Sequence, residues 1–132
     1  MEGVKKKIDK DGNLWIEIDQ YRSSDYVFQN ITTYGEDITL LSVSSNTRVH
    51  ALCIVIYNKE SGAVTVTIKD GDSQAYPTIS VDAGSTVRLT YSQLQGLNFT
   101  DSIVVNISGT ASSGTEIFIG YLVENNTTDA SP

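Results

Sequence analysis

The chain has 132 residues, of which 39% are hydrophobic and 19% charged, and its formal net charge is -7. This length fits one domain with one complete core. The acidic balance argues against nucleic-acid binding, because phosphate backbones are repelled, and no apolar run approaches the roughly 20 residues that cross a bilayer.

The amino end differs in charge from the rest of the chain. Lys5, Lys6, Lys7 and Lys10 crowd it, whereas no Lys or Arg follows Arg88. Acidic residues stand between these lysines, which favours a solvated arm over a basic tail for membranes or nucleic acid. The start lacks the apolar segment of a signal peptide, so synthesis in a cytosol is expected.

The first predicted strand covers Leu14–Ile18 and follows Asp11-Gly12-Asn13, a strong turn sequence. Residues 19–34 mix Tyr, Ser, Gln and Asn around one candidate strand at 26–31. This composition indicates an extended arm whose order depends on a neighbour.

Three segments rich in β-branched residues follow, at 38–43, 48–58 and 63–70, and are predicted to be the central strands. Both faces of segment 48–58 are apolar, which predicts burial on both sides. Segment 63–70 alternates Val or Ile with Thr or Lys, which predicts one dry and one wet face.

Loop lengths predict how these strands pair. The connection 59–62 has hairpin length and a late Gly, so its two flanking strands are predicted to pair antiparallel. Residues 78–81 and 86–91 flank the turn 82–85 and are predicted to form a second hairpin. Ser92 is a candidate cap for one helical turn at 92–96.

The last predicted strands are residues 103–107 and 116–123, separated by a small-residue turn. About eight strands result, which favours an all-β, antiparallel, jelly-roll-like sandwich with an extended amino-terminal arm. The predicted partition is an arm at 1–35, a sandwich domain at 36–124 and a flexible tail at 125–132.

Catalytic groups are scarce in this sequence. His50 and Cys53 are each the sole residue of their type, and strand alternation predicts that they lie on opposite faces. His50 is therefore predicted to be a packed or hydrogen-bonding residue and Cys53 a buried thiol. No catalytic residue and no cofactor is predicted.

No metal site is predicted, because clusters of His and Cys are excluded by their number. Asp9 and Asp11 open a stretch similar to a calcium loop, but the remaining oxygen ligands and the terminal Glu are missing. The glycine-rich segment 109–115 has neither the Lys nor the following helix of a phosphate loop, so a hairpin turn is predicted there.

Aromatic residues cluster near the amino end and are the candidate interface residues, since aromatics are enriched where proteins meet. These residues are Trp15, Tyr21, Tyr26, Phe28 and Tyr34. A sugar-stacking platform and ordinary core packing are the two alternatives for the same side chains.

Four segments carry a resemblance to a known group of proteins: Ile56-Tyr57-Asn58, VTVTIKDG at 64–71, VDAGSTV at 81–87 and SIVVNISGT at 102–110. Through them, about half of the chain resembles the small β-sandwich virion proteins of tailed bacteriophages. This group comprises head decoration or cement proteins and related fibre-head domains.

The resemblance implies a non-enzymatic subunit, often a homotrimer, whose arm grips neighbours on a capsid lattice. The implied partners are further copies of the chain and the major capsid protein or another virion protein, with no nucleic acid and no membrane. The implied location is the capsid surface of a virion, after synthesis in the host cytoplasm. The competing function is a carbohydrate- or host-receptor-binding module of a phage tail or fibre.

Overall fold

The computed structural model of the protein describes residues 4–8, 14–18 and 22–125. Its elements are β1 (Val4–Ile8), β2 (Leu14–Ile18), β3 (Arg22–Ile31), β4 (Asp37–Ser42), β5 (Thr47–Asn58), β6 (Val64–Asp70), β7 (Ser73–Gln74), β8 (Ile79–Val81), β9 (Thr86–Leu89), α1 (Tyr91–Leu94), β10 (Asn98–Phe99), β11 (Ser102–Ser108) and β12 (Thr115–Asn125).

Two antiparallel sheets of five strands make up the domain. In the first, called the β3 sheet, β3 pairs with β12, β12 with β5, and β5 with both β9 and β10. In the second, the β4 sheet, β4 pairs with β11, β11 with β6, and β6 with both β7 and β8. The strands β1 and β2 form a separate antiparallel hairpin.

The order of pairing identifies the topology. Leaving aside the short β7 and β10, the first strand of the domain pairs with the last, β4 with β11, β5 with β9, and β6 with β8. A long hairpin rolled into two layers gives this nested order, which is that of a jelly roll. The predicted fold class is therefore confirmed.

The core lies between the two sheets and is built from alternate residues of each strand. In β6, Val64, Val66 and Ile68 are buried while Thr65 and Thr67 are partly exposed, as the alternation predicted. The largest wholly enclosed side chain is Phe99, at 0% exposure. This apolar layer holds the sheets back to back.

All three predicted hairpins are wrong. Strands β5 and β6 belong to different sheets, and so do β8 and β9 and also β11 and β12. The connection after β5 crosses the sandwich because Asn58 is buried there, and its Nδ2 donates to the carbonyls of Gly62 and Val81 at 2.9 and 3.0 Å. A short glycine-containing loop suits such a crossing as well as a hairpin.

Three local predictions need correction. The helical turn begins one residue earlier, at Tyr91, and Thr90 precedes it with its N–H donating to Gln93 Oε1 at 2.8 Å. Strand β5 is buried on one face only, since its second face is partly exposed. The lysine-rich segment Val4–Ile8, interpreted as a solvated arm, is a strand.

Strand β3 covers ten residues and pairs with β12 along its whole length, with Arg22 opposite Glu124. It lies inside the stretch that the sequence assigned to the arm. The arm considered below is therefore the part of the chain that precedes β3.

Candidate interaction surface

The outward side of the β3 sheet carries apolar side chains that no other element covers fully. We call it the outer aromatic face and define it by Tyr26, Phe28, Val55, Phe118 and Leu122. Tyr26 and Phe28 are 61% and 53% exposed, and the other three are partly exposed. Exposed apolar side chains that adjoin one another are typical of a binding surface.

Strand register brings these residues together. Phe118 of β12 lies opposite Phe28 on one side and Val55 on the other. The rings of Tyr26 and Phe118 stack with their centroids 5.4 Å apart and their planes at 22°. Such a pair contributes about 0.5–1.5 kcal/mol beyond its buried area, so Tyr26 is held in place before any partner arrives.

A β-bulge shapes the middle of this face. The register between β12 and β5 shifts between Gly120 and Tyr121, so that one extra residue of β5, Leu52, stands between the paired positions Ala51 and Cys53. His50 and Cys53 consequently lie opposite Leu122 and Gly120, on the same outward side. The prediction of opposite faces is wrong because simple alternation ignores the bulge.

The free thiol of Cys53 is therefore partly exposed rather than buried, which corrects that prediction. A Cβ added at Gly120 would lie 3.0 Å from the sulfur atom of Cys53. The glycine thus leaves room for the thiol on the crowded side of the sheet.

An ion pair and a hydrogen bond between polar side chains border the outer aromatic face at its two ends. Lys59 Nζ lies 3.3 Å from Glu116 Oε2 at one end, and His50 Nε2 lies 3.1 Å from Glu124 Oε1 at the other. His50 is thus a hydrogen-bonding residue, as predicted. An apolar centre with a polar rim is the usual composition of a protein–protein interface.

The free edge of β3 adjoins this face. The N–H of Tyr26 donates to Asp25 Oδ1 at 2.8 Å, so it points away from β12. Because the direction of backbone groups alternates along an antiparallel strand, the N–H groups of Ser24, Phe28 and Asn30 point the same way. A row of backbone donors and acceptors therefore lies along the edge.

A buried polar network at one end of the sandwich is built around Glu60. Its carboxylate, in a residue 4% exposed, accepts hydrogen bonds from the N–H groups of Ser112, Ser113 and Gly114 at 2.8–3.0 Å. The hydroxyl of Tyr34 donates to the same carboxylate at 2.6 Å.

These hydrogen bonds, with that from Ser113 foremost, lower the pKa of Glu60 to about 2, and burial together with Glu60 raises the pKa of Tyr34 to about 12. The glycine-rich loop that resembled a phosphate loop does cradle an anion with its amides, and that anion is the chain's own Glu60. The loop crosses between the sheets instead of forming the predicted hairpin turn.

The structure places the predicted interface residues in three ways. Tyr26 and Phe28 lie side by side on the outer aromatic face. Tyr34 is partly buried and bonded to Glu60 and Thr115, at 2.6 and 2.7 Å. The side chain of Trp15 and all of Tyr21 lie outside the described residues, as do Asp9 and Asp11.

Sequence reasoning missed Val55, Phe118 and Leu122 as members of the surface. The signal was present, since the outward positions of β5 and β12 are apolar where a solvated sheet would be polar. For β5 the same signal predicts burial on both sides, whereas the structure leaves this outward side partly exposed.

A cleft of about 520 Å³ lies at one end of the sandwich between Tyr76, Pro77, Leu94 and Leu97. Asp70 is the one carboxylate among the described residues that line it, and the amides of Thr100 and Asp101 already bond its oxygens at 3.1 and 2.9 Å. This lining does not supply the pair of tuned proton carriers that acid–base catalysis needs.

Within the described ranges, three or more His, Cys, Asp or Glu side chains nowhere gather in a way that could hold a metal ion. Likewise, no helix in the described part of the chain has the length and apolarity needed to span a bilayer.

Sequence comparisons give no relative: no family model matches the chain, and no curated protein sequence matches it significantly. Solved structures do resemble it. A chain of the Bacillus endospore appendages, which form disulfide-linked pili, is 18% identical with a TM-score of 0.53, over 82% of this chain and 91% of that one.

A chain from the acid-stable capsid of Helicobacter pylori bacteriophage KHP30 gives the same TM-score of 0.53 at 8% identity, over 82% of this chain and 94% of that one. At these identities the likeness is one of fold. The protein therefore shares its β-sandwich with chains that build a phage capsid and a pilus.

Proposed function

We propose that this chain is a non-enzymatic structural protein of a virion, a homotrimeric decoration protein that binds the major capsid protein on the outside of the head. The observation that carries the proposal is the outer aromatic face. A rigid sheet that presents Tyr26 and Phe28 at 61% and 53% exposure is built to be covered.

Covering this face is energetically worthwhile. Complete burial of one large apolar side chain contributes about 1.5–3 kcal/mol, and aromatic anchors dominate the binding energy of many interfaces. Because Tyr26 is already stacked on Phe118, little side-chain entropy is lost when a partner binds. The partly exposed Val55 and Leu122 extend the area that a capsid protein would cover.

The kinds of assembly formed by proteins of this fold support the proposal. A phage capsid and a pilus are both built from such sandwiches. The sequence favours the first, because a polymer linked through disulfides needs at least two cysteines per subunit, and this chain has one. Cys53 permits a single intermolecular bond at most.

Binding to capsids tests the proposal directly. The wild-type chain and the variants Phe28→Ser and Gln29→Ala would be sedimented with capsids of the virus that encodes the chain. Gln29 is the matched control, since it is an exposed neighbour on the same strand but on its opposite face. Saturable binding is expected for wild type and Gln29→Ala, and at least tenfold weaker binding for Phe28→Ser. Equal binding by all three chains would refute the role of this face.

The stacked Tyr26 and Phe118 rings also favour a second candidate, a module that binds host carbohydrate, since aromatic faces pack on sugar rings. A glycan array separates the two functions. Specific binding that disappears in Tyr26→Ala, together with failure to bind capsids, would support the carbohydrate module instead.

A further inference from the structure

The edges of the two sheets differ in how well they are protected against further strands. The strands β7, β8, β9 and β10 are two to four residues long, and β4 has six residues and a register shift. In contrast, β3 has ten residues in unbroken register, with no Pro and with charged side chains only at Arg22 and Asp25, the latter bonded to the N–H of Tyr26. Short strands, bulges, Pro and charged side chains are the usual means of blocking an edge, so the remainder of β3 is open to strand addition.

Within the described ranges, the β1–β2 hairpin lacks a third strand that would stabilise it. Among the described strands, β1 and β2 pair only with each other, and an isolated two-stranded hairpin is marginally stable in water. By register and alternation, positions 4, 6, 8, 14, 16 and 18 lie on one face of this ribbon, and all of them except Lys6 are Val, Ile or Leu. The hairpin therefore requires a surface on which to order.

The charges of the β1–β2 hairpin and of the β3 edge are complementary. The five residues of β1 include Lys5, Lys6 and Lys7. Residues 22–125 contain five Lys and Arg against ten Asp and Glu, and the exposed Asp25 lies on the β3 edge itself. A lysine-bearing strand beside this edge replaces repulsion between acidic domains by attraction.

We propose that the β1–β2 hairpin of one copy pairs through β1 with the free edge of β3 in a second copy and so continues its sheet. This inference deepens the proposed self-association and names the surfaces that meet. Only residues 19–21 separate β2 from β3, yet the hairpin does not pair with the β3 of its own chain. The edge thus remains available to a neighbour.

The contact is head-to-tail, because each copy donates a hairpin and accepts another on a different surface. Such interfaces close into rings or continue as filaments. Three copies closing on one another would give the homotrimer. The five-residue strand β1 would cover about half of the ten-residue edge.

Two variants, one altered in the β3 edge and one in β1, test the pairing of β1 with β3. Their association is measured by sedimentation of the full chain. Ser24→Pro removes a backbone donor that points away from β12 and obstructs the edge without breaking the ladder, and Ser24→Ala, which keeps the N–H, is its matched control. Reversing Lys5, Lys6 and Lys7 to Glu disables the donor strand. Wild type and Ser24→Ala are expected to form oligomers, and the two disabled chains to associate at least tenfold more weakly.

Mixing the two disabled chains gives the sharpest result. Each retains the half that the other lacks, so an equimolar mixture is expected to form dimers and nothing larger. A wild-type chain that stays monomeric at high concentration would overturn the proposal. So would loss of assembly in Ser24→Pro alone, which indicates pairing of β3 with another β3.

Asp25→Lys provides a variant that leaves the backbone unchanged if Ser24→Pro does not fold. It is expected to weaken assembly of the wild-type hairpin and to restore that of the charge-reversed hairpin, and no change in either pairing would refute the charge contact. Assembly is measured without capsids. A monomer that still binds capsids therefore refutes this linkage and the trimeric state but not the capsid-binding role, and an oligomer that ignores capsids refutes the capsid-binding role alone.

Discussion

The two sheets turn opposite kinds of surface outward. The outer side of the β4 sheet is polar, and Asp37 there accepts hydrogen bonds from Lys69 Nζ and Asn106 Nδ2, both at 2.8 Å. The bond from Lys69 is the main cause that lowers the pKa of Asp37. The outer side of the β3 sheet presents Tyr26, Phe28 and Val55 instead. One side of the sandwich is polar, whereas the other leaves large apolar side chains exposed to water.

Val104 is an exception to the polar outer side of the β4 sheet, since it is apolar and occupies an outward position there. It is nevertheless only 4% exposed, so its neighbours on the sheet cover it. The contrast is thus one of exposed apolar area and not of residue type alone.

Removing the amide that joins the two sheets should give the largest effect. Asn58→Ala leaves the carbonyls of Gly62 and Val81 without their donor and the N–H of Glu60 without its acceptor. Unsatisfied buried groups cost about 1–3 kcal/mol each, so we expect a loss of about 3 kcal/mol in the free energy of unfolding.

Urea unfolding measures this loss, with Asn106→Ala on the polar outer side as the control, for which a change below about 1 kcal/mol is expected. Equal losses in the two variants would show that Asn58 does not clamp the sheets.

A charge placed on each outer side tests the contrast itself. Val55→Asp puts a carboxylate in the middle of the outer aromatic face, and Thr67→Asp puts one on the polar side of the β4 sheet. Because an unpaired buried charge costs about 3–5 kcal/mol, Val55→Asp should weaken capsid binding by a factor of about 100 or more.

Thr67→Asp is expected to bind as wild type does, which cosedimentation at equal protein concentration would show. If Thr67→Asp is the variant that fails to bind, the partner covers the other side of the sandwich.

Lowering the pH should weaken the stabilising contribution of the Glu60 network, an effect smaller than those of the two substitutions above. The pKa of Glu60 is about 2 in the folded chain and 4.5 in the reference state, so between these values the unfolded chain binds more protons. Its stabilising contribution is fully present above about pH 5 and falls as the pH drops toward 2.

Urea midpoints of wild type and Glu60→Gln should therefore differ at pH 7 and converge near pH 2. Glu36→Gln, an exposed carboxylate, is the control and should match wild type throughout. A difference that stays constant with pH would contradict the network.

Residue alternation was sufficient to predict the fold class and the longer strands of the sandwich, but not β1 or the two-residue strands β7 and β10. The pattern of Val64, Val66 and Ile68 against Thr65 and Thr67 specifies one dry side, whichever strand lies beside it. Pairing partners could not be predicted in this way, because the connection 59–62 fits both a hairpin and a crossing. What decides between them is the burial of Asn58 against Val81, which is distant in sequence.

The candidate surface was only partly predictable for the same reason. Tyr26 and Phe28 stand out in a polar stretch, but Phe118 joins them only through the register between β3 and β12. The bulge at Leu52 is invisible to alternation and moves Cys53 to the outer side. Glu60 gave no signal, since its ligands are amides of a loop about 50 residues away.

The pairing of the first and last strands of the domain also determines where foreign sequence is tolerated. Arg22 lies opposite Glu124, so the chain enters and leaves the sandwich side by side. A peptide attached directly after Asn125 would therefore start next to Arg22, where β3 begins.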